Sequence, residues 1–168
     1  MTSSDAPQGV AELLAATIDW SSYRKLGGDA ADSVGADLLE LFRSEREQAE
    51  HVRNRLETEV AVQGNLYSAS VPAVRVLGAA FVDERPRWVR IAALDLMFLI
   101  LGGASAPEET AEGETGLTDR CRAAARESLW SMVRVAKEDP VCLRAVLDVL
   151  TLIDPEGWAA RVLEPRGG

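Results

Sequence analysis

Ala92-Ala93-Leu94-Asp95-Leu96-Met97 returns 53 residues later as Ala145-Val146-Leu147-Asp148-Val149-Leu150. The match continues through Leu99-Ile100 against Leu152-Ile153. Both stretches are apolar at helical spacing, and each places one aspartate at the same point. The segments before them align loosely at the same offset: Val76 with Leu129, Leu77 with Trp130, Ala80 with Val133. One helix–turn–helix unit therefore occurs twice, at 69–101 and 118–153. A degenerate third unit fits at 33–62, with Leu56-Glu57 in the place of Leu94-Asp95. Helix pairs that each hide one face stack to bury a continuous core. The fold expected is all-α: a short α-solenoid of about three helix pairs with flanking helices.

Local signals place the elements around these units. Val10 to Ile18 reads as a short helix, and Trp20 to Asp32, with Gly27-Gly28, as a loop. Ser33 opens a helix carrying Leu38, Leu41 and Phe42. The charged run Ser44 to Val62 holds Arg46–Glu50 and Arg53–Glu57 at i,i+4 spacing, with Val52, Leu56 and Val60 as its buried stripe. Gly64 or Asn65 can take positive φ where it ends. Ser70 then serves as an N-cap, with Pro72 in the first turn. The turn Asp83-Glu84-Arg85-Pro86 leads to an apolar helix from Arg87 to Leu101. Leu117 to Lys137 reads as one helix. Asp139-Pro140 and Asp154-Pro155 both signal helix starts. Trp88 and Trp130 are expected in the core.

The 168 residues suit one domain, spanning 9–163, with short tails at 1–8 and 164–168. The stretch 102–116 carries Glu108, Glu109, Glu112 and Glu114 with no basic residue. It reads as a mobile acidic loop, dispensable for folding. Eighteen basic against twenty-seven acidic side chains leave a net charge of −9, which repels phosphate backbones and suits a basic protein partner. No stretch has the length and apolarity of a membrane span, and the first residues lack a signal-peptide pattern. Two cysteines, Cys121 and Cys142, without a CxxC pair read as buried thiols of a cytoplasmic protein.

Three pieces of sequence carry a resemblance. They are Asp19-Trp20, Gly27-Gly28-Asp29-Ala30, and the run from Val62-Gln63-Gly64-Asn65-Leu66-Tyr67 through Ser68-Ala69-Ser70-Val71-Pro72-Ala73-Val74. Together they resemble a family of bacterial, often actinobacterial, HEAT-repeat proteins. In that family a Trp stands near the start and a Gln-Gly-Thr-Val-Tyr-type turn leads into a proline-started helix. This chain has Val62 where the family often has His, and Asn65 where it often has Thr. The resemblance implies a helical-repeat fold and a protein-binding role, including that of an immunity protein encoded beside a toxin.

Residues that could carry chemistry are few. His51 is the one histidine, and it sits four residues after Glu47, as an exposed helix pair would. No GxxxxGK(S/T), HExxH or GxSxG motif occurs, and no cofactor or metal is expected. Asp95 and Asp148 could form a carboxylate pair, but their repeat-equivalent positions favour a structural role, capping or pairing with arginines between stacked units. Arg120 and Arg122 beside Cys121 give the one hint of an activated thiol. The expected function is therefore non-catalytic: an immunity or antitoxin protein that occludes a basic partner toxin. The alternatives are a lyase-like or other enzyme accessory protein, or a general scaffold. The candidate contact residues are Glu45, Glu47, Glu50, Asp83, Glu84, Glu108 and Glu109.

Overall fold

The computed structural model describes residues 8–165. The tails expected at 1–8 and 164–168 lie mostly outside them. Among these residues ten α-helices dominate: α1 (Val10–Thr17), α2 (Asp32–Arg43), α3 (Arg46–Val60), α4 (Ser70–Ala79), α5 (Arg87–Leu101), α6 (Pro107–Ala111), α7 (Leu117–Arg126), α8 (Leu129–Glu138), α9 (Leu143–Ile153) and α10 (Trp158–Leu163). The all-α reading holds, with two short strands as the exception among the described residues: β1 (Asn65–Leu66) and β2 (Ala104–Ser105), paired in parallel.

The helices pack in two layers. In one, α3 lies against α5 and α5 against α9; in the other, α2 packs on α4 and α4 on α7, with α1 laid over α2 and α4. The three helices of the first layer run parallel. At their N-terminal ends Arg87 reaches Asp139, just ahead of α9, at 2.7 Å. At the opposite end β1, which follows α3, pairs with β2, which follows α5.

The internal repeat has a physical counterpart in the burial pattern. Val89, Ala93, Leu96, Met97 and Ile100 of α5 are buried, and so are their equivalents Cys142, Val146, Val149, Leu150 and Ile153. Residues one repeat apart also touch. Arg75 pairs with Glu127 at 3.1 Å, and Arg134 donates to the carbonyl of Val82 at 3.1 Å, each across 52 residues, as Arg87–Asp139 does. These contacts fall one residue short of the 53-residue offset, so positions next to equivalent ones lie side by side.

Several local expectations change. Leu117 to Lys137 is two helices, broken at Glu127-Ser128. The Ser128 hydroxyl bonds the Ala125 carbonyl at 3.1 Å, and its side chain packs beneath Gly78. A serine that competes for helix carbonyls weakens the helix at that point, and the bend lets α7 pack on α4 while α8 packs on α9. Trp130, expected in the core, is 60% exposed, because after the bend α8 buries Met132, Val133, Val135 and Ala136 instead. Ser70 is not an N-cap. Its hydroxyl donates to the Val60 carbonyl at 2.6 Å and accepts the Tyr67 N–H at 3.0 Å, tying the end of α3 to the turn. Positive φ falls on Gln63 and Gly64, while Asn65 is extended.

The segment 102–116 is the largest departure from expectation. It carries β2 and α6, and it packs on the body. Gly103 lies so close to Gly64 that a Cβ there would stand 2.8 Å from the Gly64 carbonyl oxygen. Ala106 is fully buried and donates its N–H to the Leu66 carbonyl at 2.8 Å. Glu109, at 1% exposure, accepts both Nε and Nη2 of Arg24 at 2.9 and 2.7 Å. Glu114 pairs with Arg120. Two of the four glutamates of this acidic stretch are therefore held by arginines.

Candidate functional site

The parallel layer α3–α5–α9 presents one continuous face. It includes a cleft of about 490 Å³ between α3 and α5. Helical spacing explains which residues meet there. Arg46, Ala49, Glu50 and Arg53 fall on one side of α3, and Arg87, Trp88, Ile91, Ala92 and Asp95 on the facing side of α5. Ala49 and Ala92 are buried and form a small-residue floor. Trp88 is half-buried, and its indole N–H donates to the Ser44 carbonyl at 2.9 Å, which fixes the ring.

The charges in the cleft divide into engaged and unengaged groups. Arg53 lies 3.3 Å from Glu57 and donates to Asn54. Arg87 is held by Asp139, and that hydrogen bond keeps the Asp139 carboxyl below the usual carboxylate range. Arg46, Glu50 and Asp95 make no side-chain hydrogen bond or ion pair with the other described residues. The surrounding protein raises the Asp95 carboxyl above its ordinary value; nearby Arg53 works against this, and the Asp148 carboxylate adds to it.

Asp95 and Asp148 were expected to cap or to pair with arginines between units. Asp148 instead pairs within its own helix, with Arg144 at 3.1 Å. Ion pairs between the two units are made instead by Arg87 with Asp139, Arg75 with Glu127 and Arg90 with Glu138.

The seven acidic residues expected to contact a partner do not form one patch. Glu45, Glu47 and Glu50 are exposed around the start of α3, and Glu84 is exposed in the turn before α5, at the same end of the layer. Asp83 is already engaged: it accepts the Val10 N–H at 2.7 Å and faces Arg85 at 3.3 Å. Glu108 is exposed at the other end of the layer, beside β2. Glu109 is buried against Arg24 and has no surface to offer. Asp83 and Glu109 thus belong to the fold, since each has a cationic or N–H partner from a distant element.

His51 is exposed on α3. Cys121 is fully buried, and burial pushes its thiol up to about 12, the reverse of activation; Arg120 only partly offsets this. Cys142 is buried too, with its thiol raised for the same reason. Native protein is expected to react with a thiol reagent at neutral pH only as fast as it opens. A rapid, stoichiometric burst from Cys121 would contradict the burial. Among the described residues no group of three or more His, Cys, Asp or Glu side chains gathers as a metal site, and no helix is long and apolar enough to cross a membrane.

No family model, no curated protein and no solved structure matches the chain.

Proposed function

We propose that this chain is a short HEAT-like α-solenoid of about three helix pairs, α2–α3, α4–α5 and α7/α8–α9. In this reading it works in the cytoplasm as a non-catalytic binding module. It neutralises a basic partner, of the toxin kind, by covering its working surface. The observation that carries the reading is the face formed by α3, α5 and α9, which pack side by side and are tied at one end by Arg87–Asp139. A face built on packed helices is preorganised and loses little freedom on binding.

Two further observations support it. The net charge of −9 attracts a basic partner and speeds encounter. Glu45, Glu47, Glu50 and Glu84 stand exposed at one end of the face, where a basic surface would meet them. The turn from Val62 to Val74, which resembles the bacterial HEAT-repeat family, lies where α3 hands over to α4 and so belongs to the inter-helix scaffold.

The test is isolation of the partner from the native host, followed by titration of the two purified proteins. A stoichiometric complex whose affinity falls as salt rises is expected. An affinity indifferent to salt would reject the electrostatic part, and a partner that remains fully active in the complex would reject occlusion.

A further inference from the structure

We propose that Glu59 and Asp37, neighbours across the seam between α2 and α3, form a proton-binding site: the pair shares one proton in mild acid, and taking it up tightens the first helix pair of the stack. The proposal is independent of the binding-module reading.

The argument begins with an oxygen that has no donor. Among the described residues, Glu59 Oε2 is the one carboxylate oxygen that is buried without a hydrogen-bond partner. The buried carboxylates of Glu12 and Glu109 differ, since each engages both oxygens with an arginine. On Glu59 the donors converge on Oε1. Lys25 Nζ reaches it at 3.2 Å, and the Ser33 hydroxyl donates to the same oxygen while accepting from Lys25 at 2.7 Å. A buried acceptor left without a donor costs stability, and a carboxylate can remove that cost by taking a proton.

Helical spacing puts Asp37 beside this oxygen. Ser33 and Asp37 are one turn apart on α2, and Arg55 and Glu59 are one turn apart on α3. Ser33 meets Glu59 and Asp37 meets Arg55, so Asp37 and Glu59 are diagonal neighbours across two rungs of one seam, within hydrogen-bond reach. Both side chains are largely buried, at 14% and 13% exposure.

The charges leave room for one proton. Three carboxylates, Asp37, Glu40 and Glu59, share two cations, Arg55 and Lys25. Arg55 serves Asp37 and Glu40, and Lys25 serves the oxygen of Glu59 that Ser33 already holds. A proton on Glu59 Oε2 donates to the Asp37 carboxylate and brings the cluster to neutrality. Burial raises the Glu59 carboxyl above its ordinary 4.5 and the Asp37 carboxylate adds to this, while Ser33 and Lys25 work against it. A carboxyl that holds its proton more tightly in the folded chain than in the unfolded one stabilises the fold in acid. That contribution is complete below the ordinary value and is lost as pH rises through the folded-state value. Because α3 is the outer helix of the α3–α5–α9 face, the proton acts on the helix that carries Glu47 and Glu50.

The test is an acid titration of the whole chain, followed through the NMR signals of the side-chain carboxyl carbons. Glu59 is expected to titrate above 4.5, with Glu12, held by Arg85, below it as an internal reference. In Asp37→Asn the Glu59 midpoint is expected to fall, because the like charge that favours the shared proton is gone. Glu59→Gln imitates the protonated form, since its amide can donate where the proton would. At neutral pH it is expected to melt about 2–4 °C above the parent, and the gap should close in acid. Glu84→Gln, an exposed acid outside the seam, should melt as the parent does.

A Glu59 midpoint at or below 4.5 would overturn the proposal. So would a midpoint that Asp37→Asn leaves in place. A Glu59→Gln chain that melts at or below the parent at neutral pH would also overturn it, because the ionised carboxylate would then be the form the seam requires.

Discussion

A chain in which residues 103–116 are replaced by a short Gly-Ser linker is expected to melt about 10–20 °C below the parent, at roughly 2–4 °C per kcal/mol for a chain of this size. The replacement removes β2, the buried Ala106 and the acceptor for Arg24. It also uncovers Leu66 and Tyr67, which are buried beside this segment. Two large side chains brought to water cost on the order of 3–5 kcal/mol together, before the Arg24–Glu109 bond is counted. A narrower variant isolates the ion pair. Arg24→Ala strands Glu109 at 1% exposure without a cation, whereas Glu109→Ala leaves an arginine that is already 36% exposed in its side chain and can hydrate. The first should therefore be the more damaging of the two. Thermal melts of the three chains check this; a linker chain that melts with the parent would show that the segment adds nothing to the body.

Arg85→Ala is expected to cost about 3–5 kcal/mol, the range for leaving a buried charge without its partner. Arg85 donates to both carboxylate oxygens of Glu12, at 2.7 and 2.6 Å, and both side chains are over nine-tenths buried. It also reaches Asp83 and lies 5.0 Å over the Phe42 ring. This one guanidinium joins α1, α2 and the turn before α5. The double variant Glu12→Met with Arg85→Met should recover most of the loss, since an apolar pair removes the stranded carboxylate. The pH dependence has a definite sign. The hydrogen bond from Arg85 holds the Glu12 carboxyl below its ordinary 4.5, against the opposing pull of burial. The pair's stabilisation is therefore complete above that value and is lost as pH falls through the lower folded-state value. The penalty of Arg85→Ala should shrink in acid, where a protonated Glu12 no longer needs a cation. Urea midpoints at neutral and acid pH measure it, and a penalty that grows in acid would refute the assignment.

These two effects lie where the sequence is least readable. The helices are legible because their signals are local. The 53-residue offset identifies equivalent faces of α5 and α9, and Asp139-Pro140 marks the approach to α9 with Asp139 accepting the Val141 N–H. The segment 102–116 is opaque because its anchor is Arg24, separated from Glu109 by 85 residues. Nothing near Glu109 in the chain indicates that a cation waits for it. Glu12 and Arg85 are hidden in the same way, 73 residues apart.

The cleft was half legible. Arg46, Ala49 and Arg53, and Arg87, Ile91 and Asp95, share helix faces by spacing alone. Setting Glu57 opposite Asp95 in the degenerate unit misplaced α3 by about one turn, and the structure brings Arg53 near Asp95 instead. Exposure of Trp130 was lost for another reason: the alignment with Leu77 assumes an unbroken helix, and Ser128 breaks it.

The contacts that join residues 52 apart also set how the molecule comes undone. Each such contact closes a loop of one unit and no more, so the loss of one leaves the next in place. Under force applied at the two ends, Arg75–Glu127 and Arg87–Asp139 would give way one at a time, whereas Glu12–Arg85 and Arg24–Glu109, which span 73 and 85 residues, hold the first part of the chain together as one larger barrier. In refolding, the contacts 52 apart need only a short loop to close, while Glu12–Arg85 and Arg24–Glu109 wait for loops of 73 and 85 residues. The molecule is therefore a tether with two grades of stiffness, a first part that holds as a block and a last part that peels away.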